Sequence, residues 1–156
     1  MEQHDDVEYA GFWIRTWASI IDSLLQCLIL FPLLYAIYGA QYFTDTDKWI
    51  HGPMDFLLSW VLPAIAVVLF WTYKSATPGK MIISAKIVDA QTGRQPTLGQ
   101  FIGRYFAYFV SLIPLGLGLF WVAFDKRKQG WHDKLAGTVV IRKKYTGPEA
   151  VKFSDE

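Results

Sequence analysis

The stretch GFWIRTWASIIDSLLQCLILFPLLYAIY, residues 11–38, decides the fold. After Asp22 it carries no charge, and with its flanks it exceeds the roughly 20 apolar residues a helix needs to cross a bilayer. Two further charge-free runs, Phe56–Tyr73 and Tyr105–Phe124, have similar length. The chain therefore reads as a membrane protein. Arg15 and Asp22 lie inside the first hydrophobic helix, where an ionisable group costs about 2.5–3.5 kcal/mol near a helix centre. Such groups are expected to face a protein interior or a water-filled cavity rather than lipid.

Composition limits the alternatives. With 156 residues, 53% hydrophobic and only 19% charged, the chain has room for one membrane domain and no second domain. Its parts read as a first transmembrane helix over 9–38, a second over 56–73, a third hydrophobic segment over 98–124 and a basic cytoplasmic tail over 125–156. The amino end is acidic and lacks a basic n-region, so no cleavable leader is expected. The lone Cys27 excludes an intrachain disulfide.

Lys and Arg gather after Tyr73, which is a signal of orientation and not of nucleic-acid binding. Lys74, Lys80, Lys86, Arg94 and Arg104 place the loop between the second and third runs in the cytoplasm. The tail, with Lys126, Arg127, Lys128, Lys134 and Arg142, reads as cytoplasmic too. A third full crossing would put that tail outside. The third run either spans, against the charge rule, or turns back at Pro114-Leu-Gly116-Leu-Gly118, a helix-breaking sequence. Lys80–Val88 and Thr138–Arg142 are β-like, and two lone strands need to pair in one compartment, which favours the turn. Thr97 and Gln100 have capping-box spacing, so a helix is expected to begin there. The expected fold is an all-α membrane protein: a small transmembrane helix bundle of two full spans and a third segment, with a small cytoplasmic β element.

Steps of 3, 4 and 7 residues return to one helical face, so Arg15, Ser19, Asp22 and Gln26 form a continuous polar stripe on the first helix. Arg15 and Asp22 stand about 10 Å apart along the axis. Partners from elsewhere are more natural, and Arg104 and Asp133 supply one charge of each sign. The stripe and these two residues form either an ion or substrate pathway or a structural charge cluster.

Other chemistry is poorly supported by the residue patterns. His4, His51 and His132 lack metal-ligand spacing, and no nucleophile elbow or serine, histidine and acid arrangement occurs, so no metal, cofactor or catalytic residue is assigned. Thr77-Pro-Gly-Lys80 lacks the first glycine and the final Ser/Thr of a phosphate loop.

Arg15 and Asp22 in GFWIRTWASIID, with Asp133 in GWHDKLAGTVVI, resemble the arginine and two aspartates for which the RDD family of bacterial membrane proteins is named. TPGKMIISAKIVDAQTGRQPTLGQFIGR is similar to the family's Gly-Lys and V-D-x-x-x-G stretch and to the arginine that follows, matched by Arg104. The resemblance covers Tyr9 to Arg142. It implies an integral protein of a bacterial inner membrane, with transport as the usual proposal for the family.

Two functions follow as expectations. In one, the chain is a small transporter or cation/proton exchanger. Its few membrane segments would then call for a homo-oligomer to enclose a pathway. In the other, it is a membrane anchor or an assembly and interaction protein, and the charges are structural. Its partners are the lipid bilayer, a second copy of the chain and a small cation or proton.

Overall fold

A computed structural model describes residues 7–45 and 47–144. Expectations placed on His4 and on the tail beyond Lys144 lie outside the described residues.

Helix α1 runs from Phe12 to Tyr38 without interruption, Pro32 included, because its residues are almost all apolar and no glycine falls inside it. Its 27 residues make it about 40 Å long, enough to cross a bilayer core of about 30 Å with tilt. The chain leaves it at Gly39, whose φ of 73° lets the amide return to the Tyr35 carbonyl at 2.9 Å. A short helix α2 (Gln41–Thr44) follows, and the second long helix starts at α3 (Pro53–Phe56). A wide π-helical turn, Leu57–Val61, then leads into α4 (Leu62–Lys74). That turn sits immediately before Pro63, whose ring would clash with the Ser59 carbonyl in a regular helix. The second helix therefore begins at Pro53, three residues earlier than the apolar run in the sequence.

Two stretches, Phe12–Tyr38 and Pro53–Ile82, are long and apolar enough to cross a membrane. Apolar side chains along them stay exposed within the monomer, Leu28 at 72% and Ile65 at 52%, as expected for residues that face lipid. The buried core lies at one end of the bundle, where Trp71, Phe101, Ala10, Ala85, Ile87 and Val140 pack together.

That end is closed by a three-stranded sheet ordered β1 (Val7–Tyr9), β3 (Thr138–Lys143), β2 (Ala85–Asp89), with both pairings antiparallel. Val88 pairs with Val139 and Ala85 with Arg142, so the two strands anticipated from sequence do meet. The first is shorter than expected, because Lys80–Ile82 belongs to a helical turn, α5 (Pro78–Ile82), started by Pro78. The strand β1 was not anticipated. Residues 9–11, assigned from sequence to the first helix, form its end and a link to α1.

The third apolar segment begins as α6 (Leu98–Leu112), and Thr97 and Gln100 form the expected reciprocal capping box. Gln100 also donates to Asp89 at 2.6 Å, which joins the sheet to the helix start. The segment reverses at Leu115 and Gly116, both at positive φ, and continues as α7 (Leu117–Phe120) and a 3-10 turn to Ala123, bent 112° from α6. A Cβ on Gly118 would lie 2.7 Å from Ser111 Cα, so the returning leg rests directly on α6. Helix α8 (Trp131–Ala136) then packs along α6 and delivers the chain to β3. Since β2 and β3 share one sheet, the segment between them leaves the sheet end of the bundle and comes back to it.

Candidate functional site

Asp133 sits on α8, fully buried, between two guanidinium groups. Arg15 reaches it from α1 and Arg104 from α6, and both form ion pairs with it. Each of the other two Arg15 nitrogens also has a partner: Nε donates to the Ala10 carbonyl at 2.9 Å and Nη2 to the Lys128 carbonyl at 2.5 Å. The same carboxylate accepts the Gly130 amide at 3.0 Å and so closes the first turn of its own helix. Burial pushes the Asp133 pKa up, but Arg104 and Arg15 outweigh it and hold the carboxyl well below the usual carboxylate range. This triad ties α1, α6 and α8 into one unit.

Arg104 is fully buried and lies over the rings of Trp71 and Tyr108, 5.5 and 5.8 Å from their centroids. Its Nη1 donates to Thr138 Oγ1 at 2.6 Å, while Nε and Nη2 have no hydrogen-bond partner among the described residues. His132, next to Asp133, stacks on Tyr108 with centroids 4.0 Å apart. Burial pushes its pKa down to about 3, so the imidazole is neutral.

Asp22 belongs to a different arrangement. Its carboxylate accepts the Thr77 hydroxyl at 2.5 Å and the Gly79 amide at 2.7 Å, and thereby caps α5 from across the bundle. The approach is close: a Cβ on Gly79 would lie 2.1 Å from the Ala18 carbonyl oxygen, so only glycine lets α5 seat on α1. Lys80 follows, only 6% exposed, and its one hydrogen-bond contact among the described residues is Thr77 Oγ1 at 3.5 Å. No carboxylate of the described residues lies within ion-pair distance of it.

These residues form the base of a cavity of about 670 Å³ between α1, α4 and α6. Ser19, Asp22, Gln26, Thr77, Lys80 and Tyr108 line it, and the rest of its wall is mainly apolar. Of the polar stripe read from sequence, Ser19, Asp22 and Gln26 face this cavity, whereas Arg15 turns away to Asp133. Arg104 and Asp133 join Arg15 and not Asp22. The sequence reading did not single out Lys80. Its signal was Thr77-Pro-Gly-Lys80 itself, where Thr precedes a Pro-initiated helical turn and glycine permits close packing, a pattern weighed as a phosphate loop and as part of the family resemblance but not as a site.

A family model described as the RDD family matches residues 9–137. The chain belongs to the RDD family. It is 32% identical over 149 residues to "Uncharacterized protein YxaI" of Bacillus subtilis, covering 86% of this chain and 97% of that protein. It is 30% identical to "Uncharacterized membrane protein YteJ" of the same organism, over 87% of this chain and 82% of that protein. A Rickettsia prowazekii protein, "Uncharacterized protein RP437", is 47% identical over 75 residues, which span 48% of this chain and only 41% of that protein's length. No solved structure matches the chain. The RDD match extends from the end of β1 to the end of α8, so both charge arrangements lie inside it.

Proposed function

We propose that this RDD-family chain is a small transporter of the bacterial inner membrane, coupled to protons or small cations, and that the cavity between α1, α4 and α6 is its working site. The observation that carries this reading is the presence of Asp22 and Lys80 together at the cavity base. Asp22 is an ionisable group on a membrane-crossing helix, and such groups mark ion and proton pathways. Its protonation would weaken the cap on α5 and remove the negative charge that shares the cavity base with Lys80. The charge state of Asp22 would thus be coupled to the seating of α5 and to the electrostatics of the cavity. The Arg15, Asp133 and Arg104 triad is the frame that holds the helices in place. In this reading the sheet end faces the cytoplasm, following the Lys and Arg excess there, and the chain works as a homo-oligomer because the cavity of one protomer has few walls.

The triad supports a second reading. It lies off the cavity and joins three helices, as a purely structural cluster in a membrane anchor or assembly protein would. Reconstitution separates the two. Proteoliposomes with a trapped pH-sensitive dye are given an inward Na⁺ or K⁺ gradient, and the transporter reading expects proton movement that disappears in Asp22→Asn and in Lys80→Met. Wild-type vesicles of verified protein content that move no protons under any of these gradients would leave the anchor reading standing.

A further inference from the structure

We propose that the cavity between α1, α4 and α6 binds a long-chain monocarboxylate, with its head at Lys80 and its chain along the apolar wall. This goes beyond the transport reading and does not need it, since binding is measurable without flux.

The cavity base holds buried donors that are left short of partners among the described residues. Both oxygens of Asp22 are occupied by Thr77 and Gly79. Lys80, on the wall and 6% exposed, has one long contact at 3.5 Å for its three N–H groups. Trp71, also on the wall and 2% exposed, has an indole N–H without an acceptor among the described residues. Buried donors without acceptors are costly, and a group that only accepts relieves them. The charges agree. Among the described residues no carboxylate lies within ion-pair distance of Lys80, which leaves its ammonium unmatched at the cavity base. A single carboxylate balances it.

The remainder of the wall fixes the other half of the ligand. Ile29, Leu30, Leu62, Val67, Phe109 and Leu112 line it, and they continue from the polar base along the helices. A volume of about 670 Å³ is within the usual range of small-ligand sites, roughly 300–1,000 Å³. A single-chain acid needs room for one acyl chain beside its head group, which a cavity of this size supplies.

The test is equilibrium binding of radiolabelled palmitate to the full chain in nanodiscs of zwitterionic lipid. Saturable binding is expected, about one palmitate per protomer, weakened at least about tenfold in Lys80→Met and largely retained in Lys80→Arg. Ala66→Phe, which narrows the wall and touches none of the charged groups, should weaken it at least about tenfold as well. Hexadecanol and hexadecyltrimethylammonium, with the same chain and no anion, should compete at least about tenfold less well than palmitate. Equal competition by hexadecanol, unsaturable uptake or wild-type binding by Ala66→Phe overturns the proposal. So does equal competition by phosphatidylglycerol, which would assign the cavity to a membrane phospholipid. Absent binding together with cross-linking between protomers at Ala66→Cys would assign it to a second copy. Palmitate binding that fails while dye-reported proton movement persists refutes the ligand and leaves the transport reading intact.

Discussion

Replacing Asp133 with Asn separates the two charge arrangements by their energetics. The substitution preserves the shape of the side chain and removes the one negative charge between Arg15 and Arg104, which are joined to it from α1 and α6. Arg104 is fully buried and cannot turn to water. Removing one member of a buried ion pair costs about 3–5 kcal/mol, because the remaining charge stays desolvated. Domains have total stabilities of about 5–15 kcal/mol, so the loss is a large part of the whole. It corresponds to a fall in melting temperature of roughly 6–20 °C for a chain of this size. Asp22→Asn differs. The amide oxygen can still accept the Gly79 N–H, and the expected loss is the surplus of a charge-assisted over a neutral bond, about 1–2 kcal/mol. Thermal unfolding in a mild detergent, followed by the monodisperse fraction on size exclusion, gives both values. A stable Asp133→Asn protein beside an Asp22→Asn protein that fails to accumulate would refute this division of roles.

The close seat of α5 predicts that Gly79→Ala lowers stability by about 1–3 kcal/mol or more, since a Cβ there would lie 2.1 Å from a backbone oxygen; an unchanged melting temperature would mean that α5 does not rest on α1. The buried His132 predicts an acid limb. Its pKa falls from 6.5 to about 3 on folding, so the unfolded chain binds the extra proton, and its contribution is complete above pH 6.5 and is lost progressively as pH falls towards 3. Between about pH 6.5 and 4.5, above the range in which most carboxylates titrate, the free energy of unfolding should fall at about 1 kcal/mol per pH unit, the melting temperature should fall with it, and His132→Gln should flatten that limb. The sheet register predicts that Val88→Cys with Val139→Cys, in a Cys27→Ser background, cross-links under mild oxidation while Val88→Cys with Ile141→Cys does not; equal cross-linking of both pairs would contradict the register.

What the sequence revealed of this molecule depended on whether a signal was local. The long helices were legible because each is one apolar run, and bilayer thickness sets its length. The capping box was legible because Thr97 and Gln100 are three residues apart and satisfy each other. Strand β1 was not. Val7-Glu8-Tyr9 is too short to carry a period, and it is held by distant partners, the Arg142 pairing with Glu8 and the Ala10 amide on the Val140 carbonyl. Helix α5 was read as strand for a similar reason: Lys80–Ile82 is β-like in composition, but Pro78 starts a helical turn there and Asp22, 57 residues from Gly79, caps it. The helical wheel correctly grouped Ser19, Asp22 and Gln26, yet a wheel gives angle without partner. It could not tell that Arg15, one turn before Ser19, bends to α8 while Asp22 bends to α5. Arg15, Asp22 and Asp133 thus belong together in sequence motif and apart in space. Two of them join α1 and α8 to α6, and the third caps α5 at the cavity that it lines with Lys80.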